Sequence, residues 1–314
     1  MRNVLVLAGG LSHERDVSLR SGRRVADALN RSGSEAYVRD VDSTLLTAIR
    51  NSRPEVIWPL LHGASGEDGA LRDVLGSLNI GYVGSQPASC RLTWDKPVAK
   101  ALAGAAGIAT PTGMALSHAT FRVLGAPALL ESVIDSLGLP LAVKPARGGS
   151  SLGLTIVRSA EELPSAMVTA YAYGDITLIE HFIEGTEVAI SIVEDAQGEA
   201  QALPAVEIVP DGGVYNYEAR YTAGATEFFT PARLSRSAAA SAASDALTIY
   251  RTLGHRHLSR VDLIIDSDER PWFLEANVAP GMTETSLLPM AVEAAGMKAT
   301  DVYAGIVERA VTTR

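Results

Sequence analysis

The chain has 314 residues, too many for one ordinary domain and enough for two or three with a core that needs no metal or disulfide staple. Hydrophobic residues make up 47% and charged residues 20%, an ordinary soluble globular balance, and the lone cysteine, Cys90, excludes an internal disulfide framework and suits a reducing cytoplasm. A net charge of −9 with no basic stripe argues against nucleic acid as a partner, and no apolar stretch approaches the length of a membrane span.

In chain order, Asn3–Ala8 reads as a buried strand, its apolar run being too short for a signal-peptide core. A Gly9-Gly10 turn leads into a helical stretch over Asp16–Asn30. Glu55–Leu61 is another apolar run, ending at His62-Gly63; Asp68–Leu78 is helical and Ile80–Val83 is a short strand. This βαβ rhythm predicts a parallel, doubly wound sheet. From about Thr93 to Gly107 a helix begins with Asp95-Lys96-Pro97. Leu141–Lys144 and Leu154–Val157 read as the strands of a hairpin. Val188–Val193, Ala205–Ile208, Val261–Ile265 and Trp272–Val278 are strands of the last part, with an Ala-rich helix, Ser237–Leu253, among them and a helical Lys298–Val311 at the end. Val214–Gly224 is polar and aromatic and reads poorly as helix or strand. It is expected to be a loop that closes over a site, or else a surface loop packed on its own tyrosines.

The strongest chemical signal lies near the C-terminus. In the run Ser259–Asp266, strand alternation puts Arg260 and Asp262 on one face, and in Trp272–Asn277 it puts Glu275 and Asn277 on one face. A turn over Asp266–Arg270 makes these strands a hairpin, so two carboxylates and an amide can converge. All are hard oxygen ligands of the kind Mg²⁺ takes when phosphates complete its shell, and Glu275 can bridge two ions. A solvated edge hairpin is the alternative.

Other segments are weaker alone. Lys144 ends a strand before the loop Pro145–Gly153, whose Gly and Ser residues can bring N–H groups and hydroxyls to a polyphosphate, or can be a plain flexible turn. It is neither a Walker A loop nor a dinucleotide fingerprint. Leu178–Val188 reads as strand, hinge and strand. A hinge backbone can bond an adenine edge, with Glu187 placed for a ribose hydroxyl, or the segment is an acidic connector. Glu14 and His62 follow the ends of the first two strands read in the sheet, where ligands of doubly wound sheets bind. Glu14 can pair with a substrate ammonium, and Ser18 can cap the helix or hold Glu14. His62 can equally be structural. Gly281 offers backbone approach, and Ser286 can take a carboxylate at a helix start or simply cap the helix.

With these residues in view, the chain resembles the D-alanine–D-alanine ligases of the ATP-grasp superfamily, from about residue 3 to 311. The motifs GGLSHERDVSLRSG, LHGASGEDG, VKPARGGSSLG, EARY and SRVDLIID…FLEANVAPGMTETSL occur in the family's order and spacing. The resemblance implies an ATP-grasp fold of three α/β domains: a Rossmann-like substrate domain over 1–95, a central subdomain over 96–183 and a C-terminal subdomain over 184–314. It implies ATP contacts from Lys96, Lys144, Ser151, Glu180, Phe182, Ile183 and Glu187, and Mg²⁺, with Mn²⁺ as a substitute, held by Asp262, Glu275 and Asn277. Glu14 would hold the first D-alanine's ammonium with His62 nearby, and Ser150 and Tyr221 would link Glu14 to the closing loop. Arg260 and the Gly281 N–H would stabilise a tetrahedral oxyanion, and Arg220, Ser286 and Leu287 would contact the second substrate. The implied activity is ATP-dependent formation of D-alanyl-D-alanine for peptidoglycan synthesis, by a cytoplasmic homodimer without membrane or nucleic-acid partners.

Three positions depart from the family pattern. Arg220 stands where Lys is usual, Arg72-Asp73 replaces Gln-Gly, and Gly149 replaces a frequent Glu. A planar guanidinium is not a point charge, so Arg220 bears on second-substrate geometry. The main rival is the same chemistry on D-lactate, D-serine or another second substrate. A non-catalytic nucleotide-binding protein is the rival from another class, and it gives no reason for the Asp262, Glu275 and Asn277 set.

Overall fold

The computed structural model describes residues 1–195, 197–222 and 224–313, with the side chains of Glu218 and Tyr221 outside the described set. The first part of the chain runs β1 (Asn3–Leu7), α1 (Arg15–Arg31), β2 (Glu35–Arg39), α2 (Leu45–Ser52), β3 (Val56–Pro59), α3 (Ala64–Glu67), α4 (Ala70–Gly76), β4 (Gly81–Tyr82), α5 (Pro87–Trp94) and α6 (Lys96–Ala105). Its strands form the expected parallel sheet, in the order β2-β1-β3-β4. Alternation along β1 sends Leu5 and Leu7 to one face, against Leu45 and Ile49 of α2 and Leu75 of α4. Val4 and Val6 go to the other face, against Val25 and Leu29 of α1. The helix read over Asp68–Leu78 starts only at Ala70, behind Gly69 at φ 90°.

The middle part contains β5 (Gly113–Ser117), α7 (His118–Leu124), α8 (Ala126–Leu137), β6 (Leu141–Pro145), β7 (Thr155–Val157), α9 (Leu163–Tyr171) and β8 (Ile176–His181). The strands make an antiparallel sheet, β5-β8-β6-β7. β6 and β7 pair as the expected hairpin, with Leu141 opposite Val157. Leu130 and Val133 of α8 and Leu163 and Met167 of α9 bury one face of this sheet.

The last part runs β9 (Thr186–Glu194), β10 (Ala200–Ala202), β11 (Val206–Pro210), α10 (Tyr217–Tyr221), β12 (Thr226–Phe229), α11 (Arg236–Thr252), β13 (Leu258–Ile265), β14 (Pro271–Asn277), α12 (Leu287–Ala294) and α13 (Ala299–Thr312). Its antiparallel sheet has the order β12-β11-β9-β13-β14, with β10 beside β9. The segment read as irregular thus contains one short helix, α10. Val188, Ile190, Ile192, Val261 and Leu263 face the alanines of α11 and also Ala99 and Ala103 of α6. The opposite face carries Glu187, Arg260 and Asp262, beside Ala189 and Val193, which pack towards α12.

The final helix returns to the first sheet. Tyr303, Ile306, Val307 and Ala310 of α13 share a core with Val4, Val6, Val56 and Trp58, and the Trp58 and Tyr303 rings meet edge to face at 5.6 Å. No helix among the described residues is long and apolar enough to cross a membrane.

Two buried histidines join the first part to β13. The Gly84 N–H donates to His257 Nδ1 at 3.0 Å, while His257 Nε2 lies 2.9 Å from Thr313 Oγ1. His255 Nε2 lies 2.8 Å from Thr93 Oγ1. A ring accepting from Gly84 cannot be protonated at Nδ1. Burial, with Arg256 and Arg309 adding repulsion, holds His257 down to about 3, and burial does the same to His255. Both rings therefore gain a proton on unfolding below their unfolded pKa of about 6.5. Their stabilisation is complete above that pH and is lost as pH falls towards 3. We expect His257→Asn to remove roughly half of this pH-linked loss between pH 6.5 and 5, read from thermal melts against the parent. An unchanged pH slope would rule out this source of acid sensitivity.

Candidate active site

The hairpin β13–β14 sets the chemistry. Asp262 lies opposite Glu275 and Arg260 opposite Asn277. Simple alternation would send Phe273 to the same side as Glu275. A β-bulge prevents this: Asp262 pairs with Glu275 but Leu263 with Phe273, so Leu274 is left over. Phe273 is thereby buried under the sheet beside Val261 and Leu263, while Glu275 reaches the opposite face and Leu274 lines a cavity.

On that face the Arg260 guanidinium forks onto Asp262, Nε to Oδ1 at 2.7 Å and Nη2 to Oδ2 at 2.8 Å, both side chains buried. Burial opposes the guanidinium's charge, but Asp262 and then Glu275 hold its pKa above the ordinary value. Lys96 Nζ lies 3.3 Å from Glu275 Oε2. Burial alone would raise the Glu275 pKa, yet Lys96, Lys144, Arg220 and Arg260 together bring it to about 2. Asn277 Oδ1 accepts from the Ala279 N–H at 2.7 Å. No third His, Cys, Asp or Glu completes a cluster with the two carboxylates among the described residues.

A cavity of about 390 Å³ separates the middle and last sheets. The middle sheet gives it Lys144 and Glu180, and the last sheet gives Glu187, Asp262 and Glu275. Lys96 enters from the start of α6, Ser151 from the β6–β7 loop, and Phe182 and Ile183 from the connector between β8 and β9. Gly185 in that connector rests on the Ile265 carbonyl, where any side chain would collide. Burial pushes the Glu187 carboxyl up to about 7.

Glu180 is enclosed, with Lys144 Nζ 2.5 Å from Oε1 and Lys100 Nζ 2.8 Å from Oε2. Against burial, Lys144 and Lys100 keep Glu180 below the usual carboxylate range. Burial draws Lys100 down to about 8, so it stays largely protonated at neutral pH. Sequence reading passed over Lys100, since one lysine on a helix looks like a solvated residue.

A second cavity, of about 480 Å³, shares Lys96, Gly149, Arg220 and Glu275 with the first. Glu14 and His62 reach it from the ends of β1 and β3, and Asn277, Gly281, Ser286 and Leu287 from β14 and beyond. Ser150 Oγ donates to Glu14 Oε1 at 2.5 Å, and Ser151 Oγ donates to the Tyr215 carbonyl at 2.9 Å. Both serines have φ 54°, a left-handed conformation that costs on the order of 1–2 kcal/mol per residue. Their hydroxyl anchors hold the loop between the N-terminal sheet and the segment leading into α10. The Arg220 guanidinium lies 4.2 Å over the Tyr215 ring, and the Tyr221 side chain lies outside the described residues.

Some expectations change. Ser18 neither caps α1 nor holds Glu14: its hydroxyl accepts from the Gly9 N–H at 2.8 Å and donates to the Leu60 carbonyl at 2.6 Å, joining the ends of β1 and β3. Ser286 occupies the N-cap position of α12 without making a capping hydrogen bond, and accepts instead from the Thr283 N–H at 2.9 Å. A residue given no role from sequence also faces the second cavity. Glu67 accepts from the Gly63 N–H at 2.7 Å, and burial followed by the charge of Glu14 pushes its pKa up to about 8. Its signal was its place within the Gly-rich run Gly63–Gly69. His62 is buried, which lowers its pKa, and its Nε2 has no hydrogen-bond partner among the described residues.

Comparison with known proteins bears on this geometry. A family described as "D-ala D-ala ligase C-terminus" matches residues 102–308. A D-alanine–D-alanine ligase of Bordetella petrii is 40% identical over 305 residues, which is 97% of this chain and 91% of that protein. Among solved structures, a Bacillus anthracis D-alanine–D-alanine ligase complexed with ATP superimposes with a TM-score of 0.83 at 28% identity, over 99% of this chain and 98% of that one. An Enterococcus faecalis D-Ala:D-Ser ligase gives 0.84 at 25% identity, over 98% of each chain.

Proposed function

The chain belongs to the D-alanine–D-alanine ligase family, and from that premise we propose how its ATP-grasp fold joins two D-alanines into D-alanyl-D-alanine, for peptidoglycan precursor synthesis. The supporting observation is the junction of the two cavities at Lys96, Arg220 and Glu275. It lets the phosphate end of a nucleotide in one cavity meet a carboxylate held in the other.

The first D-alanine carboxylate attacks the γ-phosphorus of ATP, giving an acyl phosphate and ADP. The second D-alanine amine attacks the acyl carbon, and phosphate leaves with the electrons of the broken C–O bond. A free carboxylate is a poor electrophile, so activation must come first. In this reading Glu180, Phe182 and Ile183 receive the adenine, Glu187 the ribose, and Lys96, Lys144 and Ser151 the phosphates. Glu14, steadied by Ser150, holds the first ammonium beside His62. Arg260 and the Gly281 N–H face the oxyanion of the tetrahedral intermediate, where fixed donors in a water-poor site are most effective. Arg220, Ser286 and Leu287 place the second substrate. Closure of the segment around α10 keeps water from the acyl phosphate.

Asp262, Glu275 and Asn277 would hold Mg²⁺, two ions in this reading, with Mn²⁺ as a substitute. Their hard oxygens on one face fit that ion, provided Arg260 releases part of its hold on Asp262. Bound Mg²⁺ would screen phosphate charge during transfer. The division into 1–95, 96–183 and 184–314 belongs to the same proposal, with α6 bridging the last two units because its alanines pack on the third sheet. So do a homodimeric state, a cytoplasmic location and the absence of membrane or nucleic-acid partners.

The test is phosphate release with ATP, Mg²⁺ and D-alanine, with the product identified by mass. Phosphate in step with D-alanyl-D-alanine is the expected result. Turnover only after D-serine or D-lactate is added would move the second substrate. Tight ATP binding with no turnover on any acceptor would favour a non-catalytic role.

A further inference from the structure

Glu180 lies in the middle sheet, 2% exposed, with one ammonium on each carboxylate oxygen. The two lysines differ in position. Lys144 belongs to β6, beside β8, and lines the nucleotide cavity, where a phosphate can compete for it. Lys100 comes from α6, which packs on the third sheet, and its Nζ also donates to the Phe273 carbonyl at 3.2 Å. It is 7% exposed and stands behind the cavity wall.

We propose that Lys100 is a positioning residue that keeps the charge of Glu180 balanced, so that Lys144 can leave Glu180 for the polyphosphate of ATP. The proposal rests on the ATP reading above. A buried carboxylate deprived of every counter-charge is strongly unfavourable. With Lys100 in place, the departure of Lys144 leaves one ammonium on Glu180. Without it, Lys144 is the only charge holding Glu180 and is trapped there. The same ammonium ties β8 to β14 two residues before Glu275, which fixes the back of the cleft.

The test uses Lys100→Met, similar in length and neutral, with ATP affinity measured by calorimetry. ATP binding should weaken roughly tenfold or more, while KM for D-alanine at saturating ATP stays within about twofold. Lys144→Ala should cost roughly tenfold in ATP affinity in the wild type but less than about threefold in the Lys100→Met background, the non-additivity of groups that act together. Adding Glu180→Gln to Lys100→Met removes the carboxylate that traps Lys144, so the Lys144→Ala cost should return in that background. A merely structural lysine would lower thermal stability without coupling to Lys144. Lys100→Met binding ATP within about twofold of wild type, or an equal Lys144→Ala cost in both backgrounds, would overturn the proposal. If Lys100→Met does not fold, Lys100→Gln is read by the same criteria. Wild-type protein that fails to bind ATP would sink the nucleotide reading itself, a result distinct from failure of the coupling.

Discussion

Glu275→Gln is expected to lower turnover by roughly 10²–10³-fold or more while leaving the fold intact, the scale seen when one electrostatic element of an active site is removed. Glu275 stands where the two cavities join, opposite Asp262 and 3.3 Å from Lys96. The amide keeps the shape but removes the negative charge that offsets Lys96, Lys144, Arg220 and Arg260. The wild-type carboxyl, held at about 2, stabilises the fold at pH values above its unfolded pKa of about 4.3, and that contribution is lost as pH falls towards 2. The variant should therefore melt somewhat lower at pH 7 and lose less on acidification. Steady-state phosphate release and thermal melts would decide. A wild-type rate in the variant would remove Glu275 from the chemistry.

Arg260→Met should damage both activity and stability. The guanidinium makes two hydrogen bonds to Asp262 with both partners buried, so its removal leaves a carboxylate uncompensated. Breaking such a pair from one side typically costs about 3–5 kcal/mol. If Arg260 serves the oxyanion as proposed, its loss adds a fall in turnover of roughly 10²–10³-fold. Arg260→Lys keeps the charge without the fork and should fall between the two. Chemical denaturation gives the stability term. The double variant Arg260→Met, Asp262→Asn should be more stable than Arg260→Met alone, because it removes the stranded charge. Equal stability of the two would show that Asp262 finds another partner.

The parts of this site that follow backbone periodicity were legible in the sequence. Arg260 and Asp262 on one strand, and Glu275 and Asn277 on the next, share a face because side chains alternate, and the short turn after Ile265 makes the strands neighbours. The bulge at Leu274 was not legible, because nothing in the run Trp272–Asn277 marks an extra residue until its partner strand is known. β2 was missed because it is an edge strand with polar residues at Glu35 and Arg39. β5 pairs through its backbone with β8, yet its run Gly113–Ser117 has little apolar patterning. Lys100 and Glu67 acquire meaning only from three-dimensional neighbours: Lys100 from a glutamate 80 positions along the chain, Glu67 from Glu14 across the cavity.

The packing of α13 on the first sheet has a consequence for synthesis. The ribosome makes β1 and β3 long before α13, but the face carrying Val4, Val6, Val56 and Trp58 is covered in part by Tyr303, Ile306, Val307 and Ala310 of that helix. A nascent chain must carry the part of that surface that α1 leaves open until α13 is made. Emergence of α13, rather than of the first sheet, is then the event that closes the N-terminal core, and until then a chaperone or another nascent chain can compete for the place of α13.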